Sequence, residues 1–224
     1  MPPVDGSGPG EVRYDAVVLA GGRAERLGTP KPGLVVAGRP LLDHALAATS
    51  GARRTVVVGP HELANPDRYV LTREDPPFGG PVAGIAAGLA ALPDDGRAPW
   101  VLVLACDVPR AAEAVPALLA AARRLPDRSA VRAVHAVRDG REQWLVGLYR
   151  RAALEESLAA LPAVHGAAVR RLLADLPALA VPDESGATDD GDTWEDAREH
   201  DRRATSAPGT QTATVEQHEG RRPR

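Results

Sequence analysis

The sequence predicts a single α/β domain built on a Rossmann-like, mostly parallel sheet with helices on both faces. Two observations support this fold class. Short runs rich in Val and Leu alternate with longer segments of helical period, which is the pattern of βαβ units. The runs are also uniformly apolar, as expected for parallel strands that are covered on both faces. With 224 residues, 44% of them hydrophobic, the chain can bury one sizeable core.

The strands are predicted from short apolar runs bounded by turn-forming or charged residues. In chain order these runs are residues 15–20, 54–58, 68–71, 99–105, 129–137 and 143–149, with a further extended segment at 178–181. A polar stretch at 138–142 separates two of the runs. We therefore expect 129–137 and 143–149 to form a strand pair that returns on itself.

The helices are predicted where apolar residues recur at intervals of three and four. The first is expected to open at Pro40, because proline suits the first turn of a helix. The predicted helices are residues 40–48, 82–92, 111–125, 151–161, 167–176 and 195–201.

The two ends of the chain differ from its middle in composition. Residues 1–11 are polar and rich in Pro and Gly, and residues 202–224 contain little to bury, so we expect disordered tails around a domain at 12–201. A net charge of −3 argues against a nucleic-acid partner, and no apolar run is long enough for a membrane span. The single cysteine, Cys106, precludes an intrachain disulfide. Without a secretion-signal pattern, the expected location is cytoplasmic.

The first predicted strand ends at a glycine pair. Gly21 and Gly22 let backbone N–H groups turn inward, because glycine tolerates positive φ and has no Cβ, and such a concavity of amides holds a phosphate. Arg23 and Arg26 follow, and then Lys31, which is the only lysine in the chain. An ammonium is a compact charge suited to a phosphate oxygen. The stretch predicts a loop that holds a nucleotide phosphate chain, with a plain turn bearing solvated arginines as the alternative.

Two other glycine motifs do not fit this loop. A P-loop needs its lysine directly after the last glycine, whereas two residues separate Gly28 from Lys31. The dinucleotide fingerprint G-x-G-x-x-G requires a second glycine two residues after the first, but two residues after Gly22 the chain has Ala24. The loop is therefore of a third kind.

Asp107 directly follows the predicted strand 99–105. Ligands of parallel sheets bind beyond the carboxyl ends of the strands, which predicts that Asp107 and the Gly21 loop share one edge. Mg²⁺ prefers one or two carboxylates, with phosphate oxygens and water completing its coordination. Asp107 is accordingly the predicted magnesium ligand. The alternative is a cap for the helix that begins near Pro109.

Residues 19–28 resemble the L-A-G-G-x-x-x-R-M-G-x-x-K signature of the nucleotidyltransferases that make activated sugars and cofactors. Within that group the chain is most similar to the MobA-like molybdenum cofactor guanylyltransferases, since residues 106–109 match their C-D-x-P motif. The resemblance extends with gaps over residues 14–201 and implies the nucleotidyltransferase (GT-A-like) fold. The sequence departs from the signature at Leu27, where methionine is usual, and residues 30–34 read Pro-Lys-Pro-Gly-Leu where the family typically has Asp-Lys-Gly-Leu.

The resemblance also implies roles for individual residues. The catalytic residues would be Arg26, Lys31 and Asp107. The residues contacting the nucleotide would be Leu19, Ala20, Gly21, Gly22, Arg23, Gly28, Lys31, Asp75, Gly80 and Asp107. The metal ligands would be Asp107 and Asp192, with Asp190 behind it. The plainer alternatives are a surface-turn acid for Asp75 and a helix cap for the Asp190–Asp192 stretch.

The implied reaction transfers GMP from GTP to the molybdopterin cofactor, with Mg²⁺ as cofactor and pyrophosphate as product. Molybdoenzymes or their chaperones would be transient partners. Residues 129–149 would help to cover the acceptor, with Gln143 in contact and Trp144 where the family has proline. Because residues 59–61, Gly-Pro-His, stand where guanylyltransferases of this family often carry Asn, a cytidylyltransferase remains an alternative. The others are a guanylyltransferase for another acceptor, such as phospholactate, and a catalytically idle protein that binds the nucleotide or cofactor.

Overall fold

The computed structural model describes residues 11–21, 31–93, 97–126 and 128–189, with only the backbone of Lys31. The strands are β1 (Tyr14–Leu19), β2 (Val35–Val36), β3 (Arg39–Pro40), β4 (Thr55–Val58), β5 (Val70–Thr72), β6 (Trp100–Ala105), β7 (Ala133–Arg138), β8 (Arg141–Arg150) and β9 (Ala178–Pro182). The helices are α1 (Leu41–Ala48), α2 (Gly80–Ala91), α3 (Ala111–Arg123), α4 (Arg151–Ala159) and α5 (Val169–Leu173). Short 3₁₀ turns lie at Lys31–Gly33 and His61–Leu63.

The central sheet has seven strands in the order β5-β4-β1-β6-β8-β7-β9. The neighbours β5, β4, β1 and β6 are all parallel, as are β7 and β9. Strand β8 runs antiparallel to both of its neighbours. The predicted fold class is confirmed: the sheet is mostly parallel, and the predicted returning pair is the β7–β8 hairpin.

Alternate residues of β1 face two different hydrophobic layers. Ala16 and Val18 belong to a core that includes side chains of α1 and α3. Val17 belongs to a second core with side chains of α2, α4 and α5. Because successive residues of a strand point to opposite faces, helices cover both sides of the sheet, which explains why the strands are apolar throughout.

Helix α2 approaches β1 closely because glycines stand on its inner face. A Cβ added to Gly88 would lie 2.4 Å from Val17 Cγ1, and one added to Gly84 would lie 3.1 Å from Leu19 Cδ2. Larger residues would push the helix away from the sheet. The close packing brings the start of α2 to the carboxyl end of β1.

The structure differs from the predicted elements at three places. The chain forms a small β2–β3 hairpin before α1, so Pro40 ends a strand and the helix starts at Leu41. Strand β7 begins at Ala133, later than residue 129, and the helix predicted at 167–176 is only the five-residue α5. The two-residue strands escaped prediction because they are too short to show any alternation. The predicted helix 195–201 and tail 202–224 lie outside the described residues, as do residues 1–10.

A buried ion pair ties the amino end of β1 to α4. Asp15 and Arg151 are 2% and 5% exposed, and Arg151 Nη2 donates to Asp15 Oδ2 at 2.5 Å. The backbone N–H of Ala98 also donates to Asp15 Oδ2, at 3.4 Å, and Arg151 Nε donates to the carbonyl of Ala98 at 3.2 Å. These contacts close the sheet at the end opposite the predicted site.

Candidate functional site

The predicted edge of the sheet is formed by the ends of β1 and β6. The strands are in parallel register with Leu19 beside Ala105. Their hydrogen bonding continues one step further, since Cys106 N donates to the carbonyl of Leu19 at 3.0 Å. Asp107 comes directly after Cys106, and Gly21 comes two residues after Leu19. The prediction that Asp107 and the start of the glycine loop share one edge is confirmed.

Two cavities open at this edge. The smaller has a volume of about 410 Å³ and lies between the ends of β1 and β6 and the start of α2. The larger has a volume of about 780 Å³ and lies between the end of β6 and the β7–β8 hairpin. Three residues line both cavities: Ala105, Asp107 and Leu145. Asp107 therefore stands at the junction of two ligand-sized spaces.

Asp107 has the surroundings of a divalent-metal ligand. Its side chain is half-buried at the end of β6. Mg²⁺ needs only one or two protein carboxylates when phosphate oxygens and water complete its coordination, so the donor present fits this ion. Across the described ranges, no three His, Cys, Asp or Glu side chains gather into a metal cluster.

The wall of the smaller cavity includes Gly21, Gly80 and Glu74. Among the residues that the structure describes, the nearest atoms to a Cβ added at Gly21 would be Glu74 Oε1 and the carbonyl oxygen of Val58, both at 3.9 Å. Gly80 has a φ of +85°, a conformation that glycine adopts without strain. The N-terminal turn of α2 therefore meets the cavity through backbone rather than through bulky side chains.

Asp75 is predicted from the resemblance to contact the nucleotide, but its neighbour Glu74 is the acid that lines the smaller cavity. Glu74 lines the smaller cavity and accepts a hydrogen bond from Phe78 N at 3.0 Å. Asp75 is exposed and is not among the residues that line either cavity. Two adjacent acids point in different directions, and only the loop's turn geometry decides which one faces inward.

Phe78 is the only phenylalanine of the chain, and it stands at the mouth of the smaller cavity. It is 54% exposed, and its φ of +64° is unusual for a residue with a bulky side chain. The guanidinium carbon of Arg73 lies 5.4 Å from the ring centroid. An exposed aromatic ring in a strained backbone conformation is a feature that often marks a ligand site.

Gly59, at the position where Asn was expected, is close to the chain after β1. A Cβ added there would lie 2.9 Å from Leu63 Cδ1 and 3.2 Å from the carbonyl oxygen of Ala20. A side chain at Gly59 would therefore crowd the side chain of Leu63 and the backbone at Ala20.

The far wall of the larger cavity is a rigid loop after β9. Arg138 Nε lies 2.6 Å from Asp189 Oδ1, and both residues line the cavity. Asp183 anchors the loop by accepting hydrogen bonds from Ser185, Ala187 and Thr188. Burial works to raise the pKa of Asp183, but these hydrogen bonds outweigh it and lower the pKa to about 2.

Most of the predicted site residues either line the smaller cavity or lie outside the described part of the chain. Leu19, Gly21, Gly80 and Asp107 line the smaller cavity, and Ala20 lies buried between two of them. The side chain of Lys31 is outside the described part of the chain. So are Gly22, Arg23, Arg26, Gly28, Asp190 and Asp192, whose roles stay predictions. The sequence analysis missed Glu74 and Phe78, for which the only sequence signal is their position just before the helix that opens with Gly80-Pro81.

The fold and the cavities define a class of protein: an α/β domain with two cavities at the carboxyl edge of its parallel strands, beside an acidic residue. A family model described as the MobA-like NTP transferase domain matches residues 16–181, and the chain belongs to this family.

Molybdenum cofactor guanylyltransferases are among the relatives of the chain. The enzyme of Pseudomonas aeruginosa is 38% identical over 120 residues, which cover 50% of this chain and 58% of the relative. A probable enzyme of this name from Trichormus variabilis is 41% identical over 103 residues, covering 42% of this chain and 46% of the relative. The matched segments thus span only about half the length of these relatives.

Solved structures with the same fold include two proteins of different names. Molybdopterin-guanine dinucleotide biosynthesis protein A from Archaeoglobus fulgidus superposes with a TM-score of 0.63 at 20% identity, covering 85% of this chain and 98% of that one. The 2-C-methyl-D-erythritol 4-phosphate cytidylyltransferase from Thermus thermophilus gives 0.62 at 22% identity, covering 86% and 99%. The nucleotidyltransferase fold is therefore established for this chain. Within the described residues, no helix has the length and apolarity needed to cross a membrane.

Proposed function

We propose that this protein is a nucleotidyltransferase that transfers GMP from GTP to the phosphate of molybdopterin and releases pyrophosphate. The observation that carries the proposal is the position of Asp107, which lines both cavities. A transfer between two bound substrates needs one space for each and a charged group where they meet. Family membership and the guanylyltransferase relatives support the same reaction.

In this proposal the smaller cavity holds the nucleotide. Its floor at Gly21 and Gly80 lets backbone come close to a phosphate or a base. Arg26 and Lys31, predicted from the signature, would neutralise the phosphate charge. The exposed ring of Phe78 offers a face on which the base can stack.

The chemistry requires positioning and charge neutralisation more than covalent help. Asp107, with Asp192 as the predicted second carboxylate, would hold Mg²⁺, which would withdraw charge from the phosphates when bound. The acceptor phosphate, entering from the larger cavity, attacks the α-phosphorus in line with the departing pyrophosphate. Asp107 acts by keeping the two substrates' phosphates together at the junction of the cavities.

Guanine is proposed as the base because a carboxylate faces the cavity. Glu74 can accept from both N1–H and the exocyclic amine of guanine, a pair that cytosine does not present. One of its oxygens accepts from Phe78 N, which holds the carboxylate in place. The cytoplasmic location and the transient contact with molybdoenzymes or their chaperones remain predictions from the sequence.

The proposal is tested by nucleotide-dependent stabilisation followed by turnover. Melting temperatures are measured with GTP, CTP or ATP and Mg²⁺, for the wild type and Lys31→Ala, because a ligand that binds only the folded state raises stability. Pyrophosphate release is then measured with GTP and molybdopterin. We expect stabilisation by GTP, weakened in Lys31→Ala, and pyrophosphate release that requires both substrates.

Other results point to the alternatives. Selective stabilisation by CTP would indicate a cytidylyltransferase. If GTP binds but pyrophosphate is released only with another phosphorylated acceptor, the protein is a guanylyltransferase for that acceptor. Binding without any release would indicate the idle binding protein. The matched pair Glu74→Gln and Asp75→Asn locates base recognition: we expect only Glu74→Gln to lose the preference for GTP over CTP.

A further inference from the structure

One wall of the larger cavity owes its shape to an irregularity in the sheet. Strands β7 and β8 pair regularly up to His135 and Gly147, and the next pair is Ala136 with Gln143. The register slips by three residues, so residues 144–146 have no partner on β7 in the described sheet. A bulge of this kind bends a strand and redirects its side chains. Here it brings Trp144 and its neighbours to the cavity wall.

Trp144 is held in place from two sides. The ring centroids of His135 and Trp144 are 4.6 Å apart with the planes tilted by 43°. His135 is buried, and its Nε2 contacts the carboxylate of Glu142, which also lines the cavity. The hydroxyl of Tyr149 donates to the backbone carbonyl of Trp144 at 2.6 Å, and burial raises the pKa of Tyr149, which keeps this hydroxyl protonated. Both the ring and the backbone of Trp144 are therefore preorganised.

We propose that the indole of Trp144 is the surface on which the acceptor's planar ring stacks. The inference rests on the proposed function, because it takes the larger cavity as the acceptor site. Trp144 is half-buried, so part of its ring meets the cavity while the rest packs against the core. Every flat heterocycle has a π-face that an indole can cover, and such stacking commonly changes affinity about tenfold or more.

The polar groups around Trp144 suit the edge of a heterocycle and a distant phosphate. Gln143 and Arg141 line the same cavity and offer hydrogen-bond donors, and the amide of Gln143 also accepts. Asp107 lies in that cavity as well, at its junction with the smaller one. Trp144 and Asp107 line one cavity, so an acceptor can place a planar ring on the indole and a phosphate near the carboxylate. A small aliphatic acceptor such as phospholactate would leave the indole without a partner.

The test measures binding of a soluble pterin, 6-hydroxymethylpterin, to the full chain by calorimetry, with glycerol 3-phosphate as a control that has no ring. Trp144→Leu removes the aromatic face, and Trp144→Phe keeps one. We expect pterin affinity to fall tenfold or more in the leucine variant and to stay within threefold in the phenylalanine variant. In turnover assays, the KM for molybdopterin should rise tenfold in Trp144→Leu while the KM for GTP and kcat change less than threefold.

Stabilisation by GTP is measured on every variant and separates this inference from the proposed function. If GTP stabilises the wild type but the pterin binds Trp144→Leu as tightly as the wild type, the role of Trp144 is wrong and nucleotidyl transfer is untouched. Tighter binding of glycerol 3-phosphate than of the pterin would also overturn it. If GTP does not raise the melting temperature of the wild type, the proposed function is overturned instead. Should Trp144→Leu fail to fold, Trp144→Met is measured in its place, with the same expectations.

Discussion

The two ends of the β1–β6 strand pair use carboxylates in opposite ways. At the amino end, Asp15 is 2% exposed and is paired with Arg151 at 2.5 Å. At the carboxyl end, Asp107 is half-buried and faces two cavities. A buried carboxylate has lost its hydration and depends on its partner, whereas a carboxylate on a cavity wall can coordinate a ligand. Asp15 is therefore placed to support the fold, whereas Asp107 is placed where the proposed function needs a carboxylate.

The largest effect is expected on turnover. In Asp107→Asn, pyrophosphate release should fall about a thousandfold or more, because charge stabilisation of transferring phosphates is worth several kcal/mol. The melting temperature should change little, since the amide keeps the shape of the carboxylate on a cavity wall. Activity of Asp107→Asn within tenfold of the wild type would show that the reaction does not depend on this carboxylate.

At the amino end of the β1–β6 strand pair, we expect a substitution to lower stability and to leave turnover unchanged. Arg151→Met should lower the free energy of unfolding by about 3 kcal/mol, because it removes the close partner of the buried Asp15 and leaves only Arg53 Nη1, at 4.0 Å from Asp15 Oδ1. Urea denaturation measures the change, and the folded fraction should keep the wild-type kcat. Arg97→Met is the matched control, since its ion pair with Glu155 joins side chains that are 47% and 41% exposed. That exposed pair should contribute less than about 1 kcal/mol.

The sequence predicts what depends on local pattern. The apolar run before Gly21 and the one before Asp107 each identify a buried strand, and parallel neighbours necessarily end at one edge. The fold class and the shared edge follow from that reasoning alone. The Asp15–Arg151 pair could not be predicted in this way, because its two residues are far apart in the chain and meet only when α4 packs beneath the sheet.

Site details depend on geometry that the pattern does not carry. Glu74 and Asp75 are adjacent acids, and only the turn before α2 directs the first of them to the cavity. The register shift near Trp144 also leaves no signal in the sequence, because a bulge changes which residues pair without changing their hydrophobicity. Sequence reasoning therefore locates the site to an edge, and the structure selects the side chains.

A smaller effect tests whether strain at the carboxyl end serves ligand binding. Phe78 has a φ of +64°, so Phe78→Gly should stabilise the fold by up to about 1 kcal/mol by relieving an unfavourable conformation. GTP affinity should fall about fivefold or more as the stacking face is lost. Ala37→Gly is the control, because Ala37 has a φ of +48° in the β2–β3 turn and lines neither cavity. Ala37→Gly should stabilise the fold without lowering the affinity for GTP. Equal GTP affinity in Phe78→Gly and Ala37→Gly would show that Phe78 does not contact the nucleotide.

The smallest effect concerns the loop that carries Asp189 to the larger cavity. The folded-state pKa of Asp183, about 2, lies below its ordinary value of 3.8 because of the hydrogen bonds from Thr188, Ser185 and Ala187, which exceed the opposing effect of burial. An acid with a lowered pKa contributes stability above its unfolded pKa, and that contribution is lost as the pH falls towards 2. The melting temperature of Asp183→Asn should therefore lie below that of the wild type at pH 6, and the gap should narrow between pH 4 and pH 2. A constant gap over this range would show that the carboxylate's charge does not stabilise the loop.

The same loop holds Asp189 against Arg138 at the larger cavity. At neutral pH, Asp183→Asn should therefore raise the KM for the acceptor more than the KM for GTP.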